Sequence, residues 1–550
     1  MSAVSGAATR SCLPTPGSIA NYIQYITLTI ALGGLQFAWS VETGYGSLYL
    51  LSLGMKKSLV SLVWLAGPLS GLVTQPLVGV LSDRCTSKLG RRRPFIIGST
   101  IAVVLCMGVI GWTREIAGDR PNLVIWLAVI AFYLLDFAIN SIQASLRALI
   151  VDVLPTSRQD NGTAWASRMI GLGNVAGYLM GFLDLVRLLP FLGSSQIQVL
   201  TTLASFALGS TVAITCYFTH EKPISRPTAG SHSPSDLKAL GAVFTSFGSL
   251  PVVIKRICLI QFFAWIGWFP FLFYGTTYVA GFYASNNKDS GWSEDELMER
   301  GTRAGSLAMF SQAVSSLVFS FVLPMITYSA GSRTSPQRLE TQQTLRIIRK
   351  LRALLSVSLS NMWTVSLAMF SVCMFGTFFI STVNGATWLI GACGFSWALA
   401  IWAPFTMIGE SISSGRSGSS DSALPMHSSG GEHQYEPVDT DDIHMDTMSH
   451  VNRSSSNNSP SRRVSRSPHP SDQTSLSAGT ILGIHNVFIV MPQFITAFMS
   501  SIVFAFFEHI ESPDSSADPG AQHAHQIALV LRLGGIASAV AAYYAWKLSH

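Results

Sequence analysis

The chain has 550 residues, 49% of them hydrophobic and 12% charged, with a formal net charge of +6 and a mean hydropathy of +0.39. Soluble domains carry roughly a quarter charged residues; about half that proportion, beside 31 Phe and 13 Trp, leaves too little polar surface to cover a water-soluble globule. The placement of the charge argues against nucleic acid as a partner, because Lys and Arg sit in short connecting segments and form no basic face.

A membrane span needs about 20 predominantly apolar residues. By that measure helices are expected near 22–45, 59–81, 94–113, 122–150, 166–189, 196–218, 256–281, 303–327, 360–383, 386–408, 477–506 and 524–547. Twelve helices bring both termini to one face. The positive-inside rule places that face in the cytoplasm, since the connections Asp83–Arg93, Glu221–Arg256 and Arg333–Arg352 on that side are the basic ones. The first 20 residues lack the charged-then-apolar pattern of a cleaved leader. The fold class is therefore an all-α membrane protein. Residues 1–219 form one six-helix half, 220–256 a cytoplasmic linker and 257–550 a second six-helix half, which is the arrangement of the major facilitator fold.

Within the second half, residues 411–475 are a different material. Stretches such as SSGRSGSSDS cannot bury enough apolar surface to fold. A disordered tether is expected; Ser beside Arg over Arg462–Ser467 leaves open a regulatory loop served by a kinase. The seven Cys are scattered singly without metal or disulfide spacing, and read as small buried hydrophobes. No metal and no cofactor is expected.

Between the second and third helices runs Gly79-Val-Leu-Ser-Asp83-Arg84-Cys-Thr-Ser-Lys-Leu-Gly90-Arg91-Arg92-Arg93-Pro94. Asp83 can accept from a helix N-terminus or pair with an Arg, and the Arg cluster suits an anionic membrane face. The order of these residues favours a gate latch over a mere topological anchor, with Asp83, Arg84, Arg91 and Arg92 as its parts.

The fourth helix carries the most informative pattern. Asp136, Asn140, Gln143 and Arg147 lie at i, i+4, i+7 and i+11 and share one helix face. At 1.5 Å per residue Arg147 lies roughly 16 Å below Asp136, near the cytoplasmic edge. An ionised carboxylate in mid-span is costly and faces a cavity or a partner, so Asp136 is a group that can load and release a proton. Glu42, on a face with Trp39 in the first helix, is the second intramembrane carboxylate; a protonatable site and an acceptor for a sugar hydroxyl are both open to it. In the fifth helix Gly173, Gly177 and Gly181 form a small-residue stripe for tight packing, Asn174 and Tyr178 can bond a hydroxylated substrate, and Asp184 and Arg187 are expected to pair across a turn. In the eleventh, Asn486 and Gln493 are candidate substrate ligands, while His485 is expected to bond a neighbour. The second half otherwise lacks mid-membrane carboxylates and is rich in Trp. Most of these are expected at the membrane interface, with one or two lining the site.

The segment SDRCTSKLGRRRPFI resembles the corresponding loop of plant sucrose–proton symporters and their fungal and animal relatives, the glycoside–pentoside–hexuronide–cation symporter group of the major facilitator superfamily. The four residues Cys85–Lys88, which lengthen the general facilitator motif, are typical of that group. The resemblance continues in GLQFAWSVE (Gly34–Glu42), LVWLAGPLSGLVTQPLVG (Leu62–Gly79), RALIVD (Arg147–Asp152), LGNVAGY (Leu172–Tyr178), GTRAGSLAM (Gly301–Met309) and IHNVFIVMPQ (Ile484–Gln493). It implies proton-driven uptake of sucrose or a related α-glucoside such as maltose, across the plasma membrane by default. It matches Asp136 to the helix-four Asp used for proton coupling, and adds Arg147, Asp152 and Arg303 to the gating residues. Glu42 stands where plant members have Gln, and Lys57 where they have an external His, which sets this chain apart in the details of sugar entry. The expected function is proton-coupled disaccharide import. A proton-independent facilitator and a membrane sugar sensor are the alternatives, and an enzyme is disfavoured by the absence of a diphosphate motif, HExxH or nucleophile elbow.

Overall fold

The computed structural model describes residues 16–83, 85–221, 250–326, 358–420, 478–510 and 519–549. Among them every long element is helical. In chain order these are α1 (Pro16–Ser52), α2 (Lys57–Val63), α3 (Ala66–Asp83), α4 (Arg93–Gly111), α5 (Thr113–Ala117), α6 (Pro121–Val153), α7 (Thr156–Phe182), α8 (Leu185–Leu188) and α9 (Gln196–Phe218). The second set is α10 (Val252–Asn286), α11 (Glu294–Ile326), α12 (Leu359–Gly376), α13 (Val383–Ser420), α14 (Ala478–Ile510) and α15 (Pro519–Ser549).

Local chemistry sets several boundaries. Pro sits in the first turn of α4 and α6, where its missing N–H costs nothing. Ser195 and Gln198 form a reciprocal capping box at the start of α9, and the Ser358 hydroxyl accepts from Asn361 N at 3.2 Å at the start of α12. The second expected helix is broken at Trp64–Leu65: Pro68 cannot donate to the Trp64 carbonyl, so the chain turns and restarts as α3. Residues 411–420 of the segment expected to be disordered are helical, since α13 runs on to Ser420; residues 421–477, with the Arg462–Ser467 cluster, lie outside the described residues.

Ten helical segments among the described residues are long and apolar enough to cross a membrane. Neither α1 nor α7 is among them, although they have 37 and 27 residues. These two helices carry Gln36, Ser40, Glu42, Asn161, Arg168 and Asn174, and they pack on each other. Part of their lack of hydropathy, that due to Gln36, Ser40, Glu42 and Asn174, belongs to the polar centre they enclose, whereas Asn161 is exposed.

Two hydrophobic cores form, one from residues between Tyr25 and Val212 and the other mainly from residues between Leu250 and Ala545. Each expected six-helix half thus has its own core, and Trp39 packs against both. The glycine stripe of α7 does what its spacing predicts. A Cβ on Gly173 would stand 2.2 Å from the Gly33 carbonyl oxygen, and one on Gly177 would stand 2.6 Å from Ser40 Cβ, so α1 and α7 touch backbone to backbone.

Of the cysteines, Cys106, Cys258 and Cys393 are buried as expected, whereas Cys85, Cys216 and Cys373 are only partly covered; Cys12 lies outside the described residues. The Trp expectation is corrected in part. Trp268, Trp363 and Trp397 lie deep in the second core, at 1%, 0% and 7% exposure, while Trp388 is 80% exposed.

Candidate functional site

The centre of the first half is a carboxyl pair. Glu42 on α1 and Asp136 on α6 are 3% and 5% exposed, and their carboxyl groups face each other within hydrogen-bonding reach. Glu42 Oε2 has no hydrogen-bond partner among the described residues. Two carboxylates this close cannot both be ionised without a large repulsion, so the geometry suits a pair sharing one proton.

Amide and hydroxyl networks flank the pair. On the α1–α7 side, Asn174 Oδ1 accepts from Gln36 Nε2 at 2.9 Å and from Ser40 Oγ at 2.8 Å, and Thr43 Oγ1 lies 3.3 Å from the Tyr178 hydroxyl. On the α3–α6 side, Asn140 Oδ1 accepts from Gln75 Nε2 at 2.9 Å, and its Nδ2 donates to Ser70 Oγ at 2.8 Å and to the Asp136 carbonyl at 3.0 Å. Gln493 comes in from α14, so close to α3 that a Cβ on Gly67 would stand 2.6 Å from its Nε2. Trp39 is half-buried beside Glu42.

Not every expected ligand joins this centre. Gln143 and Asn486 are half-buried and make no hydrogen bond to the cluster among the described residues. His485 does not find the neighbour expected of it: it is 1% exposed, its Nε2 has no partner among the described residues, and the ring meets Phe405 edge-on. Gln36, Ser40, Thr43, Ser70 and Gln75 escaped the sequence reading. The spacing 36, 40, 43 is a helix-face signal of the same kind as that on α6, and would have found three of them.

Along α6 the shared face opens progressively. Asp136 is buried, Asn140 and Gln143 are half-buried, and Arg147 is exposed. The site is therefore sealed at one end and accessible from the end where α6 finishes. Near that end the arginine motif folds back on its own half. Arg91 pairs with Asp152, Arg92 Nε meets Asp152 Oδ2 at 2.9 Å, and Arg92 also bonds Ser82. The Glu221 carboxylate accepts from the backbone N–H groups of Arg91, Arg92 and Arg93 at 2.7 to 3.1 Å, capping α4. Gly90, at φ +110°, makes the turn that brings this backbone against Glu221. Asp83 closes α3, but its side chain and Arg84 lie outside the described residues.

At the sealed end the halves meet through polar contacts. Ser47 Oγ donates to the Phe273 carbonyl at 2.9 Å, Tyr274 donates to Ser61 Oγ at 2.9 Å, and Trp64 stacks on Phe273 at 4.4 Å. Lys57 Nζ donates to Gln526 Oε1 at 2.6 Å. Glu508 accepts from Ser58 N at 3.1 Å and Ser58 Oγ at 2.7 Å. Arg303 lies inside α11, not at its opening; it bonds the Phe182 carbonyl at 3.1 Å and pairs with Asp184 at 3.1 Å. Asp184 also pairs with Arg187 across one turn, as expected.

With this geometry in hand, comparisons place the chain. Residues 22–287 match the family model described as MFS/sugar transport protein. A general alpha-glucoside permease of Schizosaccharomyces pombe is 33% identical over 94% of this chain and 92% of its own length. The chain belongs to the sugar transporters of the major facilitator superfamily. A rice sucrose transport protein (Oryza sativa subsp. japonica) is 29% identical over 55% of this chain and 64% of its own. Among solved structures, a D-xylose–proton symporter aligns over 96% of this chain and 98% of its own with a TM-score of 0.53 at 13% identity, a likeness of fold alone. This family member is accordingly a multi-pass membrane transporter and not an enzyme, and its cargo is sugar.

Proposed function

We propose that the protein imports a disaccharide, sucrose or a related α-glucoside such as maltose, together with a proton by alternating access. The observation that carries this reading is the Glu42–Asp136 pair, buried between the networks that could hold sugar hydroxyls. The identities of the permease and sucrose transport relatives support the cargo class.

In this mechanism α1 and α7 cross the bilayer as well, giving twelve spans with both termini cytoplasmic, and the plasma membrane is the site of action. The accessible Arg147 end then faces the cytoplasm, and the conformation is inward-open. Outside, Asp136 takes up the proton with Glu42 sharing it, and the pair, now carrying one negative charge in place of two, stops repelling itself. Sugar hydroxyls then bond the amides of Asn140, Asn174 and Gln493 and the hydroxyl of Tyr178, while Trp39 offers a ring for stacking against the sugar face. Closure of the outer end and opening of the Arg147 end exposes both to the cytoplasm, where proton and sugar leave. The Arg91–Arg92–Asp152 cluster sets the position of the inner gate, and no cofactor is needed beyond the proton. One proton moving down ~100 mV and about one pH unit supplies roughly 3.7 kcal/mol, enough for several-hundred-fold accumulation. Kinase control through residues 411–475 is a further part of the proposal.

Reconstitution into liposomes with an imposed proton gradient and labelled disaccharides tests the reading. Sugar should accumulate with the gradient and release when it is collapsed. Equilibration that ignores the gradient would leave a proton-independent facilitator, and binding without flux would leave a sensor.

A further inference from the structure

We propose that Glu508 is a positioning residue of the outer gate, fastening the α2–α14 seam and thereby setting how often the carrier faces outward. The inference rests on the reading above that the sealed end is extracellular. Two of the seams between the halves there carry charged side chains. The α7–α11 seam is fastened by Arg303, which reaches both Asp184 and the Phe182 carbonyl. At the α2–α14 seam the Glu508 carboxylate engages Ser58 with both oxygens, one on the backbone N–H and one on the hydroxyl, and beside it Lys57 of α2 reaches Gln526 on α15. A charged acceptor with two donors makes shorter and stronger bonds than neutral pairs.

The local geometry makes Glu508 hard to replace. The residue before α2 is Lys56, which provides no side-chain cap, so the first turn of α2 is held by a carboxylate belonging to the other half. Behind the seam lies a small, partly open cavity lined by Lys57, Val60, Tyr274, Phe504 and His523, with Val60 only 2% exposed. Any opening of the outer end must part Glu508 from Ser58 and expose Val60. The strength of the contact is then part of the equilibrium between the two facing states.

The experiment introduces Val60→Cys and applies a membrane-impermeant maleimide from outside, taking the same chain without that cysteine as background. In chains folded by gel filtration, Glu508→Ala should label about tenfold faster than the parent and Ser58→Ala a few-fold faster, while Glu508→Asp restores slow labelling. Sugar is not needed for this readout, so it holds or fails apart from the substrate assignment. For uptake, Glu508→Ala should lower the external KM two- to fivefold with no rise in maximal rate, a split that simple loss of folded carrier does not give. Unchanged labelling in folded Glu508→Ala would overturn the proposal. So would faster labelling that Glu508→Asp fails to slow.

Discussion

The two halves solve the same structural problem with different materials. The first encloses two carboxyl groups and a set of amides and hydroxyls, so its helices α1 and α7 are too polar to be recognised as spans, and glycine contacts bring their backbones together. The second has Trp268, Trp363 and Phe370 fully buried, with Trp268 and Phe370 centroids 4.0 Å apart. Buried carboxyl groups mark the first half, and packed aromatic rings mark the second. The contrast teaches that two halves of similar architecture can be filled with different chemistry.

That division can be broken in stages. Trp268→Ala should cost about 3–5 kcal/mol of stability through lost burial and a cavity, seen as a large drop in thermal midpoint in detergent. The carboxyl pair should be untouched, so proton dependence of any surviving uptake stays as before. Asp136→Asn should abolish the several-hundred-fold accumulation, worth roughly 3.7 kcal/mol, while leaving counterflow. Parent uptake should rise as external pH falls, because the pair must be protonated outside, and the Asn variant should show a flat profile; full concentrative uptake by that variant would sink the assignment of the first half as the proton-handling one. Gly177→Val should cost about 1–3 kcal/mol by overpacking α7 against Ser40, again read as thermal stability. Asn174→Ala, which frees Gln36 and Ser40 from their acceptor, should raise KM two- to tenfold, on the scale of about 0.5–1.5 kcal/mol for neutral hydrogen bonds. Gln143→Ala should change KM less than twofold, since it stands outside the networks.

How far the sequence led can be judged from the same residues. Helical periodicity put Asp136, Asn140, Gln143 and Arg147 on one face, and the glycine stripe announced a close helix contact without naming α1 as its partner, because both are properties of a single helix. The meeting of Glu42 with Asp136 was not legible, since it depends on how α1 lies across α6. The break at Trp64–Leu65 was signalled by Pro68, but the surrounding run of apolar residues read as one continuous span. Ser58 and Glu508 are 450 positions apart and each looks like an ordinary helix-end residue. Reading apolar runs placed twelve segments, and ten among the described residues are long and apolar enough to cross a membrane; the contacts between them were tertiary facts that no period in the chain encodes.

Glu221 bears on how this molecule could be divided. It lies just after α9, yet it closes the start of α4 with four N–H···O bonds near the arginine motif. The first half is thus tied shut by a residue from the beginning of the linker. A fragment meant to fold alone, or a chain cut in two and reassembled, should be severed beyond this glutamate; scission at the end of α9 would leave the turn at Gly90 without its anchor.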